Sequence, residues 1–457
     1  MIAPPVPGPG RGELRDASYI QRFLWTERQA GRGTPGIARA LRLCGRVDAG
    51  RLAAAAREVA EAVPLLRAAW PASAPALTTL PEASAVCMAS APGPAGERDQ
   101  RCTDILCADR DRLAHDPADP LARFHLIRCD DGDTVLGLVA DPLILDLRSL
   151  YLVLGAVMQA YFGRFRAAQY PAFAEVAGVS PVAGGEIRES RLGWWSRRLP
   201  QWEQAAGRGL PVQVTEPATG GLRTTQLTLP EDRWTRLAQA GGSAGNSGSL
   251  AVIALLTWWF GVHKDRPRAP VFGSTLDLRD YGGLGPVIGP LTDRIAFAVD
   301  IEGLPDMTFA DLAFRAHAGL LDAVVHYLPY QDIVTLGRAA AGLQPASAAR
   351  LWDVAIHYCR TPPASSYTRG EETLARQGLS IELFRESMLA SAGTGSQGAG
   401  DGTAMEIHLA ESGTGMALVV NFDPLAVRAD QVTGMLSDLD HAVDAVIADP
   451  QTPLSSL

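Results

Sequence analysis

The chain has 457 residues, a formal net charge of −9 and 20% charged residues. This length is too great for one simple core and suits two lobes of roughly 150 to 250 residues each. The slightly acidic balance argues against nucleic acid or a membrane surface as the main partner, because both attract basic proteins.

The sequence also bears on compartment and redox state. It has no apolar run of about 18 residues, which a membrane-spanning helix requires, and no apolar stretch near its N-terminus of the kind found in signal peptides. We therefore expect a soluble cytoplasmic protein. Its 6 cysteines include no CxxC pair, which favours reduced, packed thiols and argues against a zinc site.

The N-terminal part of the chain predicts one lobe. Residues 1–12 are rich in proline and are expected to be disordered. The stretch ASYIQRFLWTERQA that follows has the pattern of a helix. Residues 37–70 then predict a strand, a turn, a helix capped by Asp48 and a second short strand.

Residues 134–149 are the most informative stretch of the sequence. The apolar run Thr134–Ala140 has the length and composition of a strand, and it leads through DPLILDLRS into a long amphipathic helix. Asp141 and Asp146 therefore lie at a strand-to-helix corner that the core holds rigid.

The chemistry of this corner leaves two interpretations open. The residues between the carboxylates are apolar, and two like charges in an apolar wall are costly. A stable arrangement then gives one carboxylate a cation or donor and turns the other to a polar cavity. Alternatively, Asp146 or Ser149 is an N-cap that accepts hydrogen bonds from the first-turn amides of the helix.

The second half of the chain predicts another lobe. Proline and glycine cluster in VSPVAGGE, so we place a linker at 179–186, the first lobe at 13–178 and the second at 187–457. The second lobe contains an aromatic helix in RLGWWSRRLPQW, a nearly all-apolar helix in SLAVIALLTWWFGVHK, strands in APVFGSTLDLRDY, AMEIHLAES and GMALVVNFDP, and a closing amphipathic helix.

The stretch DPLILDLRS resembles the signature of the nonribosomal peptide synthetase condensation superfamily, in which a strand ends in HHxxxDG and a helix follows. It is most similar to the heterocyclization branch, which carries DxxxxDxxS, and it matches all fixed positions of that form while lacking both histidines of the other. The resemblance covers about residues 15 to 455. Its other landmarks occur in the family's order: Leu66 and Arg67, then Gly289, Leu291 and Thr292, then HYLPYQDIVTL and DVAIHYCR.

The resemblance implies an α/β (α+β) fold of two chloramphenicol-acetyltransferase-like lobes, which form a V-shaped pseudo-dimer with a central tunnel. It also implies roles for the corner. Asp146 would form a salt bridge with Arg279 that holds the loop, with Ser149 at the same structural site. Asp141 would point into the tunnel, where it accepts a proton from an attacking amine or positions that amine. The alternative for Asp141 is a solvated capping residue.

Ring-closing chemistry depends on a second set of residues. Thr292 matches the threonine with which the heterocyclization branch dehydrates its adduct, together with a downstream aspartate. That aspartate lies in a "Q-V-x-L-D" strand, and Ala410 occupies its place here. Glu411, Asp293 or His408 would then have to supply the proton. Strand alternation turns Glu411 to the opposite face from Ala410, which makes Glu411 a poor substitute.

Two histidines are further candidates. His357 and His408 both lie on predicted strands of the second lobe and could reach the tunnel. The alternative is that each is a structural histidine with satisfied hydrogen bonds.

Two classes of function follow from the resemblance. The first is an enzyme that joins carrier-protein-tethered acyl and amino-acyl units by an amide bond, with or without cyclodehydration to a thiazoline or oxazoline. The second is an inactive docking platform of an assembly line. Retention of Asp141, Ser149 and Thr292 favours the enzyme, whereas loss of both histidines favours the platform.

The resemblance also implies partners. We expect a free-standing monomer that binds no cofactor of its own. Its substrates would be carried on the phosphopantetheine of acyl or peptidyl carrier proteins acting in trans.

Overall fold

The computed structural model describes residues 17–29, 36–69, 78–79, 86–113, 120–177, 184–206, 223–242, 247–262, 270–280, 284–340, 352, 354–360, 378–384, 405–412, 415–424 and 427–457. Within these residues the helices are α1 (Tyr19–Gln29), α2 (Ala49–Ala62), α3 (Ala95–Leu113), α4 (Leu147–Tyr161), α5 (Phe173–Val176), α6 (Glu186–Ala206), α7 (Glu231–Ala240), α8 (Ser247–Val262), α9 (Phe309–Val325), α10 (Tyr330–Ala340) and α11 (Ala429–Ala448).

The strands of the same residues are β1 (Ile37–Cys44), β2 (Ala68–Ala69), β3 (Thr78–Thr79), β4 (Val86–Ala91), β5 (Ala122–Cys129), β6 (Thr134–Ala140), β7 (Arg223–Pro230), β8 (Val271–Asp277), β9 (Thr292–Ala298), β10 (Val354–Arg360), β11 (Ser380–Leu383), β12 (Met405–Ser412) and β13 (Gly415–Phe422). None of the described helices is both long enough and apolar enough to cross a bilayer.

The chain forms two compact units. The first comprises Met1–Pro181, Asp277–Thr292 and Pro362–Gly395, and the second comprises Val182–Leu276, Asp293–Thr361 and Ser396–Leu457. The contiguous division into 13–178 and 187–457 therefore needs a correction, because two later segments belong to the first unit.

Long-range contacts explain this correction. β11 pairs antiparallel with β1, with Leu383 opposite Leu41, and the segment 277–292 carries Arg279, which binds Asp146. Residues 1–12 and 178–183 lie outside the described residues, so the expected disorder and most of the expected linker stay predictions. α6 begins at Glu186, the last residue of that linker.

The first unit is built on a mixed sheet of strand order β11-β1-β6-β5-β4. All residues of β6 are buried, as its unbroken apolar sequence predicts for a central strand. Asp48 caps α2 by accepting a hydrogen bond from the Arg51 amide. α4 ends at Tyr161.

The second unit is built on a sheet of order β7-β13-β12-β10-β8-β9, in which β10 runs parallel to both β12 and β8. One face of this sheet joins α7, α8, α9 and α11 in a hydrophobic core. α11 contributes the apolar face that its sequence predicts: Val432, Met435, Leu436, Leu439, Val443 and Val446 are all buried.

Candidate functional site

Asp146 is the centre of a buried hydrogen-bond network in the first unit. Its carboxylate accepts hydrogen bonds from Arg279 Nη1 at 2.7 Å and Nη2 at 3.0 Å. It also accepts from the amides of Ser149 at 2.8 Å and Leu291 at 2.9 Å. The Thr292 hydroxyl donates a fifth bond at 3.0 Å. The salt bridge and the N-cap, which the sequence offers as alternatives, are thus both present on one carboxylate.

This network keeps Asp146 ionised. Burial alone would raise the pKa of the Asp146 carboxyl, but the charge of Arg279 and the donated hydrogen bonds outweigh burial and lower it. Arg279 is itself only 3% exposed. The predicted contact between these two residues is present, and its role in holding the corner stays a prediction.

Ser149 ties the helix α4 to the segment before β9. Its hydroxyl donates to the Gly289 carbonyl at 2.8 Å and accepts from the Gly289 amide at 2.9 Å. It also accepts from Arg279 Nη2 at 2.7 Å. A side chain at position 289 would collide with the Phe173 ring at 2.1 Å, so only glycine permits this close approach.

Asp141 differs from the predicted open carboxylate. Its side chain is 1% exposed, and its Oδ2 receives a hydrogen bond of 2.6 Å from Arg28 Nη2 on α1. Oδ1 accepts from the Leu143 amide at 2.9 Å. On the same helix, Gln21 donates to the Leu143 carbonyl at 2.8 Å. Both the polar-cavity and the solvated-cap interpretations need correction, because a buried carboxylate requires a counter-charge and Arg28 supplies it.

Asp293 lies in the second unit and is 6% exposed. It accepts hydrogen bonds from the Tyr327 hydroxyl at 2.5 Å, the Tyr330 amide at 3.1 Å and the Arg294 amide at 2.8 Å. Burial raises the pKa of the Asp293 carboxyl in spite of these donors. Asp293 can therefore hold a proton more readily than an ordinary aspartate, and it also fixes the connection between α9 and α10.

β10 and β12 bring the two candidate histidines together. His357 and His408 are register partners, with ring centroids 5.0 Å apart. Glu406 lies on the same face of β12, and its Oε2 is 3.5 Å from His408 Nε2. Glu411 points to the other face, where it accepts a hydrogen bond from the Tyr358 hydroxyl, as strand alternation predicts.

Solved structures place this chain among known proteins, although no family model matches the sequence and no curated protein matches it. Tallysomycin biosynthesis protein TlmII is 40% identical, with a TM-score of 0.77, over 96% of this chain and 99% of that chain. The first condensation domain of the CDA synthetase is 16% identical, with a TM-score of 0.68, over 97% and 98% of the two chains.

The chain belongs to the nonribosomal peptide synthetase condensation superfamily. A third similar structure is the X-domain from teicoplanin biosynthesis, 20% identical with a TM-score of 0.72 over 99% and 98% of the two chains. An X-domain is also known in a complex with OxyB. The predicted chloramphenicol-acetyltransferase-like fold class is confirmed.

The condensation superfamily motif can now be placed residue by residue. Aligned on Asp146, the two histidines of HHxxxDG fall at Asp141 and Pro142. Proline offers no side-chain base, so Asp141 is the only acid–base group at these two positions, and Arg28 covers it.

Sequence reasoning missed two residues of this condensation protein. Arg28 could have been sought as the counter-charge that a second buried carboxylate demands. Glu406 shares a strand face with His408 and Ala410 by simple alternation. Among the described residues, no cluster of histidine, cysteine and acidic side chains could hold a metal ion.

Proposed function

We propose that the chain is a carrier-protein-dependent acyltransferase of the condensation type, which forms an amide bond between an acyl and an amino-acyl unit in natural-product biosynthesis. The observation that carries the proposal is the fully bonded DxxxxDxxS motif. Asp146 and Ser149 hold Arg279 and the chain before β9 in one network, and Asp141 holds Arg28. Similarity to a tallysomycin biosynthesis protein supports the biosynthetic context.

The reaction depends strongly on how its two reactants are positioned. In aminolysis of a thioester, a C–N bond forms, a C–S bond breaks, and the amine loses a proton while the departing thiolate gains one. Holding two reactants in line can supply roughly 7–11 kcal/mol of the barrier. A rigid corner that orients both phosphopantetheine-borne substrates, supplied by carrier proteins in trans, therefore fits this reaction.

Asp141 acts through Arg28 in this proposal. Arg28 is 25% exposed whereas Asp141 is 1% exposed, so the guanidinium is the member of the pair that can meet a substrate. A cation held in place by a buried carboxylate stabilises the negative oxygen that develops on the attacked carbonyl. Asp141 is then a positioning residue, and it accepts a proton directly only when Arg28 turns away.

Ring closure is the finer part of the proposal. The Thr292 hydroxyl donates to Asp146, and Ala410 replaces the acid that the heterocyclization branch carries on its downstream strand. We expect the linear amide as the main product, with slow dehydration or none.

A docking platform is the second candidate. It is favoured by Pro142 at a histidine position of the motif and by the burial of Asp141 under Arg28. The experiment that separates the two is intact-protein mass spectrometry of carrier proteins loaded with acyl and amino-acyl groups. An enzyme moves the acyl mass from one carrier to the other, whereas a platform binds the carriers and leaves their masses unchanged.

A further inference from the structure

A polar cluster lies on the side of the second unit's sheet that faces away from the hydrophobic core. Ile356 and Ile407 point into that core. Alternation therefore turns their neighbours His357 and His408 to the opposite face. The two rings approach to 5.0 Å between centroids, because β10 and β12 are parallel and in register.

Glu406 gives this cluster its charge. Two residues before His408 on the same face, its carboxylate lies 3.5 Å from the imidazole Nε2. Burial would raise the pKa of Glu406, but the adjacent His408 imidazole and the charges of His357 and Arg294 lower it to about 2. A permanent carboxylate beside an imidazole stabilises the protonated ring, which is the state a histidine base reaches when it accepts a proton.

The cluster is partly open to solvent, although the His408 Nε2 atom beside Glu406 is itself buried. The side chains of Glu406 and His408 are 26% and 19% exposed. Next to His408 along the strand lies the register pair Ala410 and Ala417, both half-buried. Because alanine side chains are small, this pair leaves space for a ligand beside the His408 ring.

An aromatic wall borders the same face. The Trp352 indole covers Gly273, where a Cβ atom would meet the ring at 2.2 Å. Tyr330 packs against Trp352 at 5.1 Å between centroids, and Arg294 lies 5.8 Å from the centre of the Tyr330 ring. Apolar walls and a few convergent polar groups are the usual features of a small-molecule site.

We propose that Glu406, His408 and His357 form the acid–base site of this chain, with His408 as the base and Glu406 as the residue that orients its ring. This inference rests on the proposed acyltransferase function. His408 takes the proton that the attacking amine loses as the C–N bond forms, and it returns that proton to the thiolate as the C–S bond breaks.

Two variants and a matched control test the assignment. His408→Gln removes the base, Glu406→Gln removes the charge with little change of shape, and His441→Gln alters an exposed histidine on α11. Turnover is measured with loaded carrier proteins and with an acyl thioester of N-acetylcysteamine plus a free amine. The histidine ring signals of each protein are also followed by NMR against pH.

We expect His408→Gln to lower turnover by about 10² to 10⁴-fold with carrier binding unchanged, and His441→Gln to leave it unchanged. In Glu406→Gln the titration of His408 and the acid limb of the pH–rate profile should both move to lower pH. Loss of the carboxylate makes the imidazolium less stable, while the His357 ring beside His408 and the charge of Arg294 near position 406 remain. A merely structural cluster would not shift the pH profile.

The outcomes separate the two proposals. If the wild-type chain makes product and His408→Gln makes it at the same rate and pH dependence, the acid–base assignment is overturned and the acyltransferase function survives. If the wild-type chain makes no product from either thioester, the acyltransferase function fails and the catalytic role of His408 fails with it.

Discussion

The Arg28 guanidinium covers the Asp141 carboxylate at 2.6 Å, and the two ends of this pair differ sharply in exposure, at 25% and 1%. The two substitutions that break this pair should therefore lower the free energy of unfolding by unequal amounts. Arg28→Gln leaves a charge buried, which typically costs about 3 to 5 kcal/mol. Asp141→Asn leaves an arginine that water can solvate, and should cost about 1 kcal/mol or less. Urea unfolding of both variants measures the difference, and equal losses would contradict it.

The same pair should act as a unit in catalysis. Because Asp141 positions Arg28, we expect Asp141→Asn and Arg28→Gln each to lower turnover, and the double variant to lose little more than the worse single variant. Rates of product formation by the single and double variants give the coupling between the two side chains. Circular dichroism checks that each variant is folded. Fully additive losses would mean that the two side chains act separately.

Removal of the central carboxylate should destabilise the first unit. Asp146→Ala strands the buried Arg279 charge, so we expect the free energy of unfolding to fall by about 3 to 5 kcal/mol. Asp48→Ala is the matched control, since Asp48 caps α2 through a single exposed hydrogen bond and its loss should cost about 1 kcal/mol. A loss for Asp146→Ala no larger than that of the control would contradict a buried ion pair.

Asp146 should also give the protein a characteristic sensitivity to acid. Its pKa is lower in the folded state than in the unfolded chain, where it is about 3.9. The stabilisation is therefore fully present above the unfolded value and is lost as pH falls through the folded value. Unfolding measured at descending pH should show this loss in the wild type and a flatter dependence in Asp146→Asn. If the free energy of unfolding depends on pH in the same way in both proteins, groups other than Asp146 cause the acid sensitivity.

Ring closure should respond to position 410. Ala410→Asp restores an acid on the strand face of His408, and we expect it to increase the fraction of product that has lost one water. Thr292→Ala should abolish any dehydration and spare condensation, with a stability cost of about 0.5 to 1.5 kcal/mol for the hydrogen bond to Asp146. Thr292→Ser keeps the hydroxyl and is the control. Efficient dehydration that does not depend on Thr292 would show that the second-unit alignment is wrong.

Local features of this chain could be predicted from the sequence because they depend on neighbouring residues. β6 occupies the predicted Thr134–Ala140, and Asp48 caps α2 as its position before the helix indicates. The contact between Asp146 and Arg279, 133 residues apart, came from a family resemblance and not from any pattern of the sequence. Periodicity describes one element at a time and carries no information about which distant element it meets.

Contacts that the family resemblance does not imply could not be predicted from the sequence. Arg28 lies 113 residues from Asp141, in a helix whose other residues gave no reason to single it out. The return of β11 to β1 was also missed, because pairing of distant strands depends on register and chain path. Glu406 was within reach of strand alternation, because it lies on the same strand face as His408 and Ala410.

Acyl transfer between carrier proteins can be followed directly by intact-protein mass spectrometry. One carrier loaded with an acyl group and a second loaded with an amino acid are incubated with and without the chain, beside Arg28→Gln and His408→Gln. We expect the acyl mass to leave the first carrier and to appear on the second as an amide only when the wild-type chain is present. Unchanged masses on both carriers, with the carriers shown to bind the chain, would rule out acyl transfer and favour the docking platform.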